Sequence, residues 1–237
     1  MALPMNNTPV YQMEVPSTGK QINFRPFLVK DEKALLLAQQ SENPMVMLTS
    51  LKDVIKSCVK DDLDIDALAT FDIEYIFTQL RAKSVGEIID LTLKCDKCED
   101  PKAVATVNID LTKMAVDGIK EHTNNITLFD DVGVIMKYPT MDILEKMENL
   151  DDNNLDEVFE IMISCIESIY NSSEVFHSKE QPKGELLDFL NNLSSDQFMK
   201  IRTFFETMPR LKYDIEYKCP VCQKEHKKVL EGLQSFF

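Results

Sequence analysis

Apolar positions along the chain follow two alternating rhythms. Residues 9–27 (PVYQMEVPSTGKQINFRPF) place β-branched and aromatic residues on either side of Pro16-Ser17-Thr18-Gly19, a pattern that predicts a β-hairpin. Helical spacing follows at 31–41, which opens on two acids where the helix dipole favours them, and at about 44–60. Ile73, Ile76, Phe77 and Leu80 stand at i, i+3, i+4 and i+7, so 71–83 predicts a helix with one buried face, with Thr70 as its N-cap. Residues 88–94 and 102–111 read as strands, 126–129 and 132–138 as another hairpin, and about 141–149 as a helix. The spacing of Leu155, Val158, Phe159, Met162, Cys165, Ile166 and Ile169 predicts a single amphipathic helix over 155–170. A loop is expected over 171–184, then helices at 185–193 and 195–208, the second opened by a Ser194/Gln197 capping box. Strands at 211–218 and 226–233 close the chain.

Hairpins and helices in this order are not a βαβ alternation, so the predicted class is α+β. Three parts are expected: an N-terminal β-hairpin (1–30), a helical lobe (31–87 plus 140–210) and a discontinuous β lobe (88–139 plus 211–237) that is zinc-ribbon-like.

Composition narrows the chemistry. The chain has 237 residues and a formal net charge of −14, so it lacks the basic face that general nucleic-acid or anionic-membrane binding needs. Its six glycines are scattered, the nearest two (Gly118 and Gly133) being 15 positions apart, which excludes a glycine-rich phosphate loop. No run approaches the ~18–20 apolar residues of a membrane span, and the first residues do not read as a signal peptide, so folding in a reducing cytosol is expected. Asp62, Asp64 and Asp66 have the rhythm of a calcium loop. However, Ala67 stands where the turn glycine belongs and Ile73 where the bidentate glutamate belongs, leaving a solvated linker. Cys58 and Cys165 lie on apolar helix faces and read as core, and His122 and His177 as surface residues. No catalytic constellation emerges, so the chain is read as non-enzymatic with no small-molecule substrate.

The chemically informative residues are Cys95, Cys98, Cys219 and Cys222. Each C-x-x-C lies at a predicted turn between strands, and two such knuckles complete a tetrahedral four-thiolate zinc site. Such a centre carries a formal charge of about −2, which Lys94, Lys97, Lys218 and Lys224 are placed to offset. The knuckles are separated by 120 residues (99–218), so they meet only if that stretch folds back to its start. Two other readings stay open: separate or intermolecular sites with His226 as a third ligand, and metal-free or redox thiols.

Three stretches carry a resemblance: Pro16–Lys20 with Arg25–Lys30 and Glu32–Leu36; Phe71–Tyr75 with Leu80–Glu87; and Lys137–Thr140. With the two C-x-x-C hairpins, the chain resembles the baseplate hub subunit and hub assembly protein family of T-even-type contractile-tailed bacteriophages, over about residues 8–232. The resemblance implies a structural or assembly role in the tail baseplate hub. It implies other hub proteins as partners, and a location in the virion baseplate or in the host cytoplasm during assembly. On this reading Ser17, Lys20, Arg25, Phe27, Phe236 and Phe237 are partner-contact candidates. A competing reading is a zinc-ribbon module contacting nucleic acid or a transcription complex through Lys218, Lys224, Lys227 and Lys228; the net charge opposes it.

Overall fold

The computed structural model describes residues 7–41, 43–98, 100–143 and 155–232. The helices are α1 (Val29–Gln40), α2 (Pro44–Cys58), α3 (Thr70–Ser84), α4 (Leu155–Ser164), α5 (Lys183–Asn191) and α6 (Ser195–Glu206). The strands are β1 (Tyr11–Glu14), β2 (Gln21–Phe24), β3 (Ile88–Lys94), β4 (Val104–Asp110), β5 (Ala115–Asp117), β6 (Asn125–Phe129), β7 (Val132–Met136), β8 (Ile166–Tyr170), β9 (Val175–His177), β10 (Arg210–Lys218) and β11 (Glu225–Glu231). The mixture is α+β, with four cysteines close together. Most of the helix predicted at about 141–149, and Phe236 and Phe237, lie outside the described residues.

The chain packs as two compact units, one of residues 1–65, 71–117 and 210–237 and one of residues 66–70 and 118–209. This grouping differs from the expected lobes. Helices α1–α3 share a unit with the cysteine-bearing hairpins, and α4–α6 share one with the hairpin at 125–136. Periodicity marks which face of an element is apolar, but not which other element covers it.

In the first unit, β1 and β2 pair antiparallel from Tyr11↔Phe24 to Glu14↔Gln21. Gly19 takes φ +68° in the turn, a conformation that favours glycine, and its amide donates to Val15 O at 2.8 Å. The hairpin is fixed to helices by charge and hydrogen bonds. Arg25 Nη1 meets Asp31 Oδ2 at 2.7 Å, with both side chains largely buried, and Arg25 Nη2 donates to Ser57 Oγ at 2.6 Å. Burial pushes the Asp31 carboxyl up, but hydrogen bonds from Arg25, the Leu28 amide and Ser57 outweigh it and hold Asp31 below the usual carboxylate range. Ser17 donates to the buried Asp72 carboxylate of α3 through its amide (2.8 Å) and hydroxyl (2.5 Å). The acidic stretch after α2 is tied down as well, since the Asn23 amide donates to Asp61 and Lys20 Nζ donates to Asp62 O. Thr70 is the first residue of α3 rather than its cap; it groups with the second unit, within which its hydroxyl donates to Pro139 O at 3.0 Å. Cys58 is fully buried, as expected of a core cysteine, and burial pushes its thiol up to about 11. Helix α1 buries only Asp31 and Ala38; Val29, Leu36 and Leu37 are exposed, as are Met45 and Val46 at the start of α2.

The second unit is a four-stranded antiparallel sheet of order β6-β7-β8-β9 covered by helices. Its core gathers Leu128, Val134, Met136, Met162, Ile166, Leu190, Ile201 and Phe204. The predicted helix 155–170 stops at Ser164, and Ile166–Tyr170 is the strand β8 paired with β7 and β9. Cys165 is buried at the break, and burial pushes its thiol up to about 12. Part of the expected loop after it is β9, which holds His177. His177 is exposed, as expected, whereas His122 is half-buried. Its ring packs against both Tyr138 (5.5 Å) and Phe204 (4.7 Å), Nδ1 is 3.2 Å from Thr207 Oγ1, and burial lowers its pKa. Ser194 and Gln197 form the predicted capping box at the start of α6.

Candidate metal centre

Two antiparallel hairpins of the first unit carry the cysteines. β3 and β4 pair from Ile88↔Asp110 to Lys94↔Val104, and Cys95 leaves β3 directly into the turn. Its amide donates to Ala103 O at 2.8 Å, so the turn closes on itself. β10 and β11 pair from Lys212↔Glu231 to Lys218↔Glu225, with β5 on the other edge of β10. Cys219 repeats the device: its amide donates to Lys224 O at 2.9 Å, the Gln223 amide donates to Cys219 O at 3.0 Å, and Gln223 turns the chain at φ +59°. Leu93, Ile109, Leu111, Leu211, Ile215 and Leu230 form a small shared core beneath the two hairpins. The 120-residue separation is therefore bridged by ordinary strand packing, and the two turns are brought to one place.

All four sulfurs lie within 4.8 Å of one another. Cys95 Sγ to Cys222 Sγ and Cys98 Sγ to Cys219 Sγ are each 3.8 Å. The edge of a tetrahedron with Zn–S bonds of ~2.3 Å is about 3.8 Å, so the spacing fits a four-thiolate ion. All four are free thiols, well beyond the ~2.05 Å of a disulfide. Cys95 and Cys219 are buried with Ala103, while Cys98 and Cys222 are half-buried. Two backbone amides point at sulfur, Lys97 N to Cys95 Sγ at 3.3 Å and Cys222 N to Cys219 Sγ at 3.5 Å. Burial pushes the Cys98 thiol up to about 12, helped by the three thiols around it. Cys219 comes down to about 7, because the Cys222 and Val221 amides and neighbouring thiols outweigh the burial that pushes it up. Crowded thiols do not all ionise together without a cation among them, and a bound dication removes that obstacle.

Two of the lysines expected around the thiols have acidic neighbours. Lys97 pairs with Asp96 at 3.8 Å, and Lys218 stands opposite Glu225 in the strand register. The side chain set directly against a sulfur is His226, whose Nε2 is 3.3 Å from Cys95 Sγ. Its Nδ1 lies 3.2 Å from Asp96 Oδ1, so Cys95, Asp96 and His226 form a second group of clustered donors. Spacing alone pointed to His226 only as a third ligand of a separate site; the pairing that lays it across Cys95 is a tertiary fact.

The four other candidate residues that are described, Ser17, Lys20, Arg25 and Phe27, make contacts within the chain. Ser17 and Lys20 make the hydrogen bonds already given, and Arg25 is bound to Asp31 and Ser57. The Phe27 amide donates to Ser84 Oγ at 2.8 Å, and its ring lies 5.6 Å from that of Phe77. Among the described residues no helix is long and apolar enough to cross a membrane.

No solved structure matches the chain. It is 24% identical over 227 residues to the baseplate hub assembly protein gp26 of Enterobacteria phage T4, a match covering 96% of this chain and 97% of that protein. The pattern of the family described as T4 bacteriophage base plate protein matches residues 8–237. Both C-x-x-C hairpins, the N-terminal hairpin and the intervening helical unit thus fall inside one continuous match, and the chain belongs to the T4 bacteriophage base plate protein family.

Proposed function

We propose that this protein is a non-enzymatic structural or assembly component of a bacteriophage tail baseplate hub, stabilised by one zinc ion held by Cys95, Cys98, Cys219 and Cys222. The observation that carries the first part is the family match over residues 8–237, joined to a relative whose name is that of a hub assembly protein. The zinc part is supported by four converging sulfurs at tetrahedral spacing. The ion would supply folding energy to two hairpins with a small core of their own, not reactivity. Its partners are other baseplate hub proteins, and it works in the virion baseplate or in the host cytoplasm while the hub is built. Exposed Val29, Leu36 and Leu37 on α1 suit a protein that meets others. Within the hairpin, Lys20 is exposed enough to reach a partner, whereas Arg25 and Ser17 act by holding the loop in shape.

Quantitative mass spectrometry of purified particles, isolated hub intermediates and infected-cell lysate tests the role. A small fixed copy number in particles, or enrichment in hub intermediates, is expected. Presence in the lysate with neither association would overturn the proposal.

A further inference from the structure

We propose that His226, oriented by Asp96, is the hydrogen-bond donor that holds the Cys95 thiolate, and that this contact sets how tightly the metal centre keeps its ion. The inference rests on the zinc reading above and concerns residues outside the four ligands.

Three contacts fix the His226 ring. It stacks on Tyr217, its cross-strand neighbour on β10, with centroids 4.8 Å apart and planes 12° from parallel. Nδ1 faces Asp96 Oδ1 at 3.2 Å, and Nε2 faces Cys95 Sγ at 3.3 Å. The side chain is 8% exposed, so water does not compete freely for either nitrogen. Asp96 immediately follows Cys95, so one turn delivers both the thiolate and the carboxylate that aims its donor. With both ring nitrogens protonated, Nδ1–H donating to the Asp96 carboxylate and Nε2–H to Cys95 Sγ, His226 joins the Lys97 amide as a second donor to Cys95. It also ties the first knuckle to the second hairpin independently of the ion.

Four thiolates already complete the coordination number of a structural zinc, which leaves His226 outside the coordination sphere. Donors to ligand atoms orient the ligand and offset its charge, and losing one lowers metal affinity ~10–100-fold. Asp96→Asn should weaken the effect without disturbing the fold, because Asp96 is an exposed surface residue.

The experiment uses the full chain loaded with zinc or cobalt(II). Metal content is measured first, then affinity by competition with a chelator, for wild type, His226→Gln, His226→Phe and Asp96→Asn. Wild type without metal refutes the zinc reading itself. With metal bound, His226→Phe is expected to keep a four-thiolate cobalt spectrum but lose ~10–100-fold in affinity. The amide of His226→Gln should restore part of the loss, and Asp96→Asn should fall between Phe and wild type. Unchanged affinity in both His226→Phe and Asp96→Asn would overturn the inference. So would a wild-type cobalt spectrum with a nitrogen ligand that disappears in His226→Phe, because His226 would then be a ligand. If His226→Phe does not fold, Asp96→Asn and His226→Gln carry the same comparison.

Discussion

The two sheet systems solve the same problem in different ways. In the second unit, β7 buries Gly133, Val134 and Met136 in five residues, and helices cover the sheet with a broad apolar core. In the first, β3, β4 and β11 each bury one residue of seven. Short, half-exposed hairpins gain little from burial at ~25 cal/mol per Å² and need a second source of stability. The four thiols stand at the tips of these hairpins, where the buried cluster consists of Cys95, Cys219 and the small Ala103. The difference teaches that the cysteines stand where the strands bury least, which is where the proposed zinc ion would contribute most.

Metal removal should separate the regions most sharply. A strong chelator, or Cys219→Ser, is expected to abolish amide exchange protection over 88–110 and 210–231 and to leave protection over 125–136 and 166–170. Hydrogen exchange read by mass spectrometry checks this, and equal loss in both regions would erase the contrast. Phe204→Ala is the converse. Phe204 is 3% exposed among His122, Tyr138 and Phe205. Its truncation should cost about 3–5 kcal/mol in denaturant unfolding of the second unit, with metal content unchanged.

Asp31→Ala leaves Arg25 without its buried partner and should cost about 3 kcal/mol. The pH dependence follows from the same pair. The Asp31 pKa is depressed in the folded chain, so its contribution is complete above the ordinary carboxylate range and is lost as pH falls through the folded value. Acid titration of wild type followed by circular dichroism should show that loss, and Asp31→Ala should lack it. Gly133→Ala is expected to have the smallest effect, about 1–3 kcal/mol. A Cβ there would meet the Tyr170 hydroxyl at 2.2 Å and Ile126 O at 2.8 Å, and only the tyrosine can move aside. Thermal unfolding would measure it.

Much of this contrast was legible in the chain and part was not, for identifiable reasons. The C-x-x-C turns were visible because each is a local event between two strands of recognisable pattern. The split of 155–170 was hidden because Ile166 and Ile169 satisfy the helical period as a continuation of α4. The alternation that marks a strand runs through Ser168, a polar residue that is 2% exposed. His122 looked like a surface residue because nothing near it in sequence reveals Tyr138 and Phe204. The same limit concealed the role of His226, which depends on strand register across β10 and β11 and on a knuckle 131 residues away. Unit boundaries were illegible for a related reason, since amphipathic faces do not name their partners.

Native mass spectrometry of the purified chain, with wild type beside Cys98→Ser and Cys219→Ser, decides whether one zinc ion is shared by both knuckles. If both knuckles hold the same metal, the wild-type mass is that of one chain plus one zinc ion, and either variant loses that ion or holds it markedly more weakly. A bare wild-type chain, or a zinc ion retained undiminished when either knuckle is broken, would contradict it.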